Sequence, residues 1–246
     1  PALIFGVAVG NVLQGVPFRL TDDLMPLYEG SFYWKFLALL NPFALVAGLV
    51  SLCMLIMHGA AWLTVKTDGA VALRARKIGT WAGVAAIAGF ALAGVWLAIG
   101  IDGYAFAGTA VTDGPSNPLH SEVTRGVSWL AAYGTRPWIA IAPLLAIRGL
   151  RAGGEVSTLL WSKLGIFGVI STVGLTMFPF ILPSSIDPRS SLTVWDASSS
   201  HLTLFVMLVS TAIFMPIILL YTAWVYKVLW GKVTEDEVTS NSDSVY

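Results

Sequence analysis

Six apolar stretches separated by polar connections constrain this chain more than any other feature of its sequence. Against the ~20 residues that span hydrocarbon, they lie near 1–16, 42–63, 80–100, 137–150, 164–182 and 203–230. The second has a good start signal: Asn41 offers a helix-capping side chain and Pro42 suits the first helical position. The fourth is the weakest, because Arg136 and Arg148 bracket a short apolar core. The pattern predicts an all-α, polytopic transmembrane helix bundle over residues 1–233, with a polar tail at 234–246.

Composition agrees with a membrane setting. Hydrophobic residues make up 56% of the chain and charged residues 11%, whereas soluble domains carry about 25% charged residues. A formal net charge of zero gives no nucleic-acid footprint. The single cysteine, Cys53, excludes an intrachain disulfide.

Charge alternates along the connections. Lys66, Arg74, Arg76 and Lys77 follow the second segment, Arg148, Arg151 and Lys163 follow the fourth, and Lys227 and Lys232 close the sixth. The other loops are acidic or balanced. The positive-inside rule therefore predicts a cytoplasmic C-terminus and an outward-facing loop between segments five and six. Pro1 leads straight into an apolar run with no initiator Met and no basic n-region, so the sequence is expected to be a truncated piece whose first helix is entered part-way.

That outward loop, Met177 to Leu204, is elaborate. Pro179 is expected to kink its helix, and Pro183 and Pro188 to stiffen the loop. Ser198, Ser199 and Ser200 offer caps for the next helix. Asp196, after Trp195, reads either as a cap complementing that helix's dipole or as a contact to a partner subunit. Asn117-Pro118 opens a stretch with Val123, Val127 and Leu130 at helical spacing, which predicts an interfacial helix.

Few residues could carry chemistry. His58 is the one histidine inside a segment, and Met54 and Met57 on the same helix cannot reach the opposite face of a haem. His58 is therefore expected to be a polar residue facing a neighbouring helix. Asn11 and Gln14 share a face of the first segment and read as interhelical packing groups or as a polar path for water or protons. Asp102 ends the third segment and reads as a cap or turn residue, with proton exit or subunit contact as the alternative. The small residues of Ala86 to Gly94 permit close helix approach. Tryptophans near the segment ends, among them Trp34, Trp62, Trp96, Trp138 and Trp230, fit an aromatic belt.

Several motifs together carry a resemblance. GNVLQGVPF at Gly10 to Phe18, NPFALVAG at Asn41 to Gly48, ALAGVW at Ala91 to Trp96 and GIDGY at Gly100 to Tyr104 resemble subunit II of the cytochrome bd-type quinol oxidases. SNPL at Ser116 to Leu119, MFPFILPSS, SLTVWDASSSHLTL and PIILLYTAW at Pro216 to Trp224 extend it in order across the chain. The resemblance implies a subunit of a bacterial inner-membrane complex that oxidises quinol and reduces dioxygen to water. It implies that haems b and d and the quinol-oxidation site belong to the haem-bearing subunit I. This chain would bind no haem itself, though lipid or quinone could occupy a groove in it. Its helices would pack against subunit I and support proton and dioxygen routes. The family's N-terminal motifs, GFDxG and D-G-N/Q-x-V-W, do not occur here, so the chain corresponds to roughly the C-terminal two-thirds of such a subunit.

The alternative from another class is an independent secondary transporter or channel. Pro179 and Pro216 are expected to interrupt segments five and six, but no matching pair appears in the first half. No charge sits at the centre of a confident span, which weighs against ion coupling.

Overall fold

In a computed structural model of the chain, residues 1–28, 36–110, 116–141 and 155–234 are described. Five longer helices dominate: α1 (Ala2–Gln14), α2 (Pro42–Lys66), α3 (Gly69–Gly100), α5 (Glu155–Met177) and α6 (His201–Val228), with a short α4 (Ala131–Thr135) between α3 and α5. Among the described residues, four helices are long and apolar enough to cross a membrane: α2, α3, α6 and, from Val156 onward, α5. With 13 residues, α1 reaches only about 20 Å at 1.5 Å per residue. Of the fourth predicted segment, only a 3₁₀ turn at Pro137–Ala140 and Ile141 are described. Its remainder lies outside the described residues, as do Trp34 and the tail beyond Thr234.

The helix ends follow local chemistry. Asn41 caps α2 by accepting a 2.9 Å hydrogen bond from the Ala44 N–H, with Pro42 at the first helical position. Helix α3 begins eleven residues before the predicted third segment, at Gly69 rather than Thr80. Its first turns carry Arg74, Arg76 and Lys77, and 32 residues make it about 48 Å long, more than the hydrocarbon needs. Pro179 does not kink α5 but follows its end, because the residue before a proline is pushed out of the helical region and the helix stops at Met177. Pro216 lies within a continuous α6 and does not interrupt it.

Helix α1 lies against α2 at backbone distance. A Cβ added to Gly6 would fall 2.6 Å from the Ala47 carbonyl oxygen and 2.7 Å from Gly48 Cα, and one on Gly10 would fall 2.7 Å from Ala44 Cα. Gly6 and Gly10 on one helix thus face Ala44 and Gly48 on the other, the four-residue spacing of small residues that lets membrane helices touch. The predicted small-residue run on α3 is less uniform: Gly89 meets a Val50 methyl, while Gly94 meets nothing within 4 Å.

At one end of the bundle the loops build three antiparallel hairpins, β1 (Phe18–Leu20) with β2 (Pro26–Tyr28), β3 (Asp102–Phe106) with β4 (Val123–Ser128), and β5 (Phe180–Leu182) with β6 (Leu192–Thr193). We call this end the platform. Strand β4 occupies the place where an interfacial helix was expected. Gly126 adopts φ +117°, and only Val123 of the strand is buried, so the helical spacing of Val123 and Val127 was coincidental. The β-branched Val123, Thr124 and Val127 instead fit a strand paired to β3. Leu13, Phe43, Tyr104, Val123, Trp129, Met177 and Phe180 form the hydrophobic core beneath the platform.

The opposite end gathers charge. The Lys66 ammonium donates to the Leu229 carbonyl at 2.5 Å, and Lys232 pairs with Asp68 at 3.0 Å. The basic α2–α3 turn and the residues after α6 therefore share one end, as the charge alternation predicts.

Candidate functional site

The platform holds most of the polar structure and three of the residues singled out in the sequence. Its anchor is a row of buried hydroxyls in the loop between α5 and α6. Ser184 and Ser190 have no exposed surface, and Ser191 and Thr193 retain only 1%. The Ser184 hydroxyl donates to the Phe18 carbonyl. The Leu20 N–H donates to Ser190 Oγ and the Ser184 N–H to Ser191 Oγ, both at 2.9 Å. Ser190 Oγ donates in turn to Asp187 at 2.9 Å. Backbone bonds from Val16 N–H to the Pro183 carbonyl and from Ser185 N–H to the Val16 carbonyl complete the stitch. Residues 183–191 are thereby fastened to the segment leaving α1. The serines picked from sequence lie further along: Ser200 caps α6 by accepting from the Thr203 N–H, and Ser198 donates to the Val194 carbonyl.

Trp195 and Asp196 sit in this loop, both partly buried. Trp195 packs against Phe106 and Phe178, with ring centres 6.1 and 6.2 Å away. Asp196 does not cap α6. Its carboxylate accepts from the Thr193 hydroxyl at 2.5 Å, closing the turn in which Trp195 stands. Asp102 opens β3 instead of capping α3, and it forms an exposed ion pair with Arg125 of β4 at 3.7 Å.

Asn11 and Gln14 are not brought into one network. Asn11 is buried and fully engaged: its amide donates to the Val7 carbonyl at 2.8 Å and to the Leu39 carbonyl at 2.7 Å, and its oxygen accepts from Asn41 Nδ2 at 3.0 Å. An unmatched amide would be costly in lipid, and here every polar group of the side chain has a partner. Gln14, the last residue of α1, is half-buried beside Gly15.

His58 lies at the other end of α2, and its Nδ1 is 2.9 Å from Ser162 Oγ on α5. The Ser162 hydroxyl proton is directed to the Leu159 carbonyl at 2.8 Å, so His58 Nδ1 carries the hydrogen and donates. This leaves Nε2 as the ring's one potential ligand atom. Met54 and Met57 rise from the same helix as His58. No group of three or more His, Cys, Asp or Glu side chains converges among the described residues.

Sequence reading passed over Tyr104 and Trp129. The Trp129 indole N–H donates to the Leu13 carbonyl at 3.0 Å, closing the C-terminal end of α1. Tyr104 is 5% exposed, and its hydroxyl is the one buried side-chain polar atom without a hydrogen bond among the described residues. Burial raises its pKa, with Arg125 opposing and Asp102 adding to the shift. The GIDGY and GNVLQGVPF motifs contain the two residues that meet there, Tyr104 and Gly15.

Comparison with known proteins gives a family for this chain. The model of the family described as cytochrome bd terminal oxidase subunit II matches residues 1–229. The chain is 42% identical to cytochrome bd-I ubiquinol oxidase subunit 2 of Escherichia coli strain K12, over all of this chain and 66% of that protein. It is 40% identical to a probable cytochrome oxidase subunit 2 of Haemophilus influenzae, with the same coverage. It is 23% identical to cytochrome bd ubiquinol oxidase subunit 2 of Bacillus subtilis, over 96% of this chain and 62% of that protein. The chain thus spans about two-thirds of the length of these curated relatives. It belongs to the cytochrome bd terminal oxidase subunit II family.

Proposed function

We propose that this bacterial membrane protein serves as the haem-free second subunit of a quinol:dioxygen oxidoreductase, acting by assembly and packing, not by catalysis. The haems b and d and the quinol-oxidation site would reside in the haem-bearing subunit I. The observation that carries this reading is family membership across residues 1–229, joined to an α5–α6 loop whose buried serines, Thr193 and Asp196 are spent on internal bonds. Groups so engaged hold a surface in shape. They are poorly placed to exchange protons with a substrate.

In this reading the platform faces away from the cytoplasm and the basic end faces it, in accord with the positive-inside rule. Trp195, propped by Phe106 and Phe178, and the Asp102–Arg125 pair form part of the surface offered to subunit I. Asp196 contributes by holding the turn beneath Trp195. Asn11 and His58 fasten helices to one another, and lipid fills the apolar faces. Any support for proton or dioxygen routes would come from the shape of the packed bundle.

Co-purification of Trp195→Ala with the haem-bearing subunit tests the proposal. The expected result is a reduced yield of complex, whose surviving fraction keeps the wild-type haem spectrum and turnover per haem. Wild-type yield with lost turnover would overturn it.

A further inference from the structure

We propose that one face of α3 holds an anionic phospholipid, whose phosphate is taken by Arg74 and Lys77. These two residues are followed by Trp81, Val84, Ala88 and Leu92 at spacings of three or four, so all six fall on one side of the helix. All six are exposed, Trp81 to 67%. The side of α3 that packs on α2 is a different one. It carries the buried Ala75, Ala82 and Ala86, and a Cβ added to Gly79 would fall 2.7 Å from Ala60 Cβ. The stripe therefore points away from the described bundle.

Depth and charge together select the ligand. Tryptophan favours the border between hydrocarbon and headgroups. With Trp81 at that border, Val84 to Leu92 run along one leaflet's half of the ~30 Å hydrocarbon. Arg74 and Lys77 then stand about 10 and 6 Å outside it, within side-chain reach of the phosphate layer. No Asp or Glu occurs in α3, and the Asp68 carboxylate just before it is taken by Lys232 at 3.0 Å. Among the described residues no hydrogen bond or ion pair engages the Arg74 or Lys77 side chain. Two such cations one helical turn apart complement a phosphate, and arginine can grip it through two N–H groups. A zwitterionic lipid would bring its own ammonium to the same place, so a net-anionic headgroup is preferred. The small Ala88 between Val84 and Leu92 leaves room for an acyl chain along the helix. The site rests on α3 crossing the membrane and not on the subunit role proposed above.

The test places the assembled membrane complex in nanodiscs of phosphatidylcholine doped with phosphatidylglycerol and counts the retained lipids by native mass spectrometry. The wild type is expected to keep phosphatidylglycerol in excess of its share. Arg74→Gln and Lys77→Gln are each expected to lower that excess about fivefold, from about 1 kcal/mol per cation at a lipid surface. Arg76→Gln removes the same charge from a different side of the helix and is expected to change the excess by less than about twofold. Equal losses at all three positions would reveal a diffuse basic field and overturn the site, as would a wild type with no excess. Displacement of the lipid by inorganic phosphate would overturn it in favour of a free anion. A density map with a helix of another subunit seated on Trp81 and Leu92 would overturn it too. Because bound lipid is counted and turnover is not, failure here leaves the subunit reading untouched.

Discussion

Helices α1 and α6 are both apolar, yet the structure treats them in opposite ways. Helix α6 has 28 residues, and no residue of its apolar span is buried in the described chain. Helix α1 has 13 residues, too few to cross hydrocarbon, yet it buries Gly6, Val7, Gly10, Asn11 and Leu13. Hydrophobicity does not draw helices together in lipid, because lipid tails are as apolar as leucine. What fixes α1 is specific: a glycine seam against α2, the Asn11–Asn41 pair, the Trp129 cap on Leu13, and the serine stitch just beyond Gln14. Helix α6 meets the rest of the described chain through the loop that enters it and a few contacts at its basic end, where Tyr226 packs on Trp62 and Lys66 reaches Leu229.

This contrast can be broken in graded ways. The largest effect is expected from Gly6→Val, whose branched side chain would press into Ala47, Gly48 and Ser51. A loss of about 3 kcal/mol is expected, measured by denaturant unfolding in micelles. Gly59→Ala on the outer side of α2 meets nothing within 4 Å and should be neutral or stabilising in the same assay. Next, Asn11→Leu leaves the Asn41 amide without its partner and the Leu39 carbonyl without its donor, for an expected loss of about 1–2 kcal/mol.

Smaller still, Ser190→Ala removes the acceptor for Leu20 N–H and the donor to Asp187. About 1 kcal/mol is expected, with faster proteolysis between Phe18 and Tyr28 as the accompanying sign. The smallest effect is expected from Leu208→Ala on α6, within about 0.5 kcal/mol, because that side chain is 65% exposed. A large loss there would mean that α6 is packed after all.

What the sequence revealed divides along the same line. The spans α2, α3, α5 and α6 were legible because length and apolarity report on the lipid. The common end of the basic segments was legible because the charges of Lys66 and Lys232 need no partner to be counted. The platform was less so. Val123 and Val127 mimic a helix when read alone, and only pairing with β3 across the loop makes them a strand. The buried Ser184 and Ser190 look like any polar loop, since their partners at Phe18 and Leu20 lie some 170 residues away. Asp196 was read against the helix that follows it, whereas its partner is Thr193, three residues before it. Tyr104 was visible in the sequence only as part of a motif, and its close approach to Gly15, some ninety residues earlier, shows only in the fold.

The view that polar stitching, more than apolar mass, fixes the platform meets its most direct test in hydrogen exchange on the amides of Val16, Leu20, Ser184 and Ser185. The expected result is protection close to that of the α2 interior, far above that of the exposed turn at Asp23 and Leu24. Exchange at those four amides as fast as at the turn would contradict it.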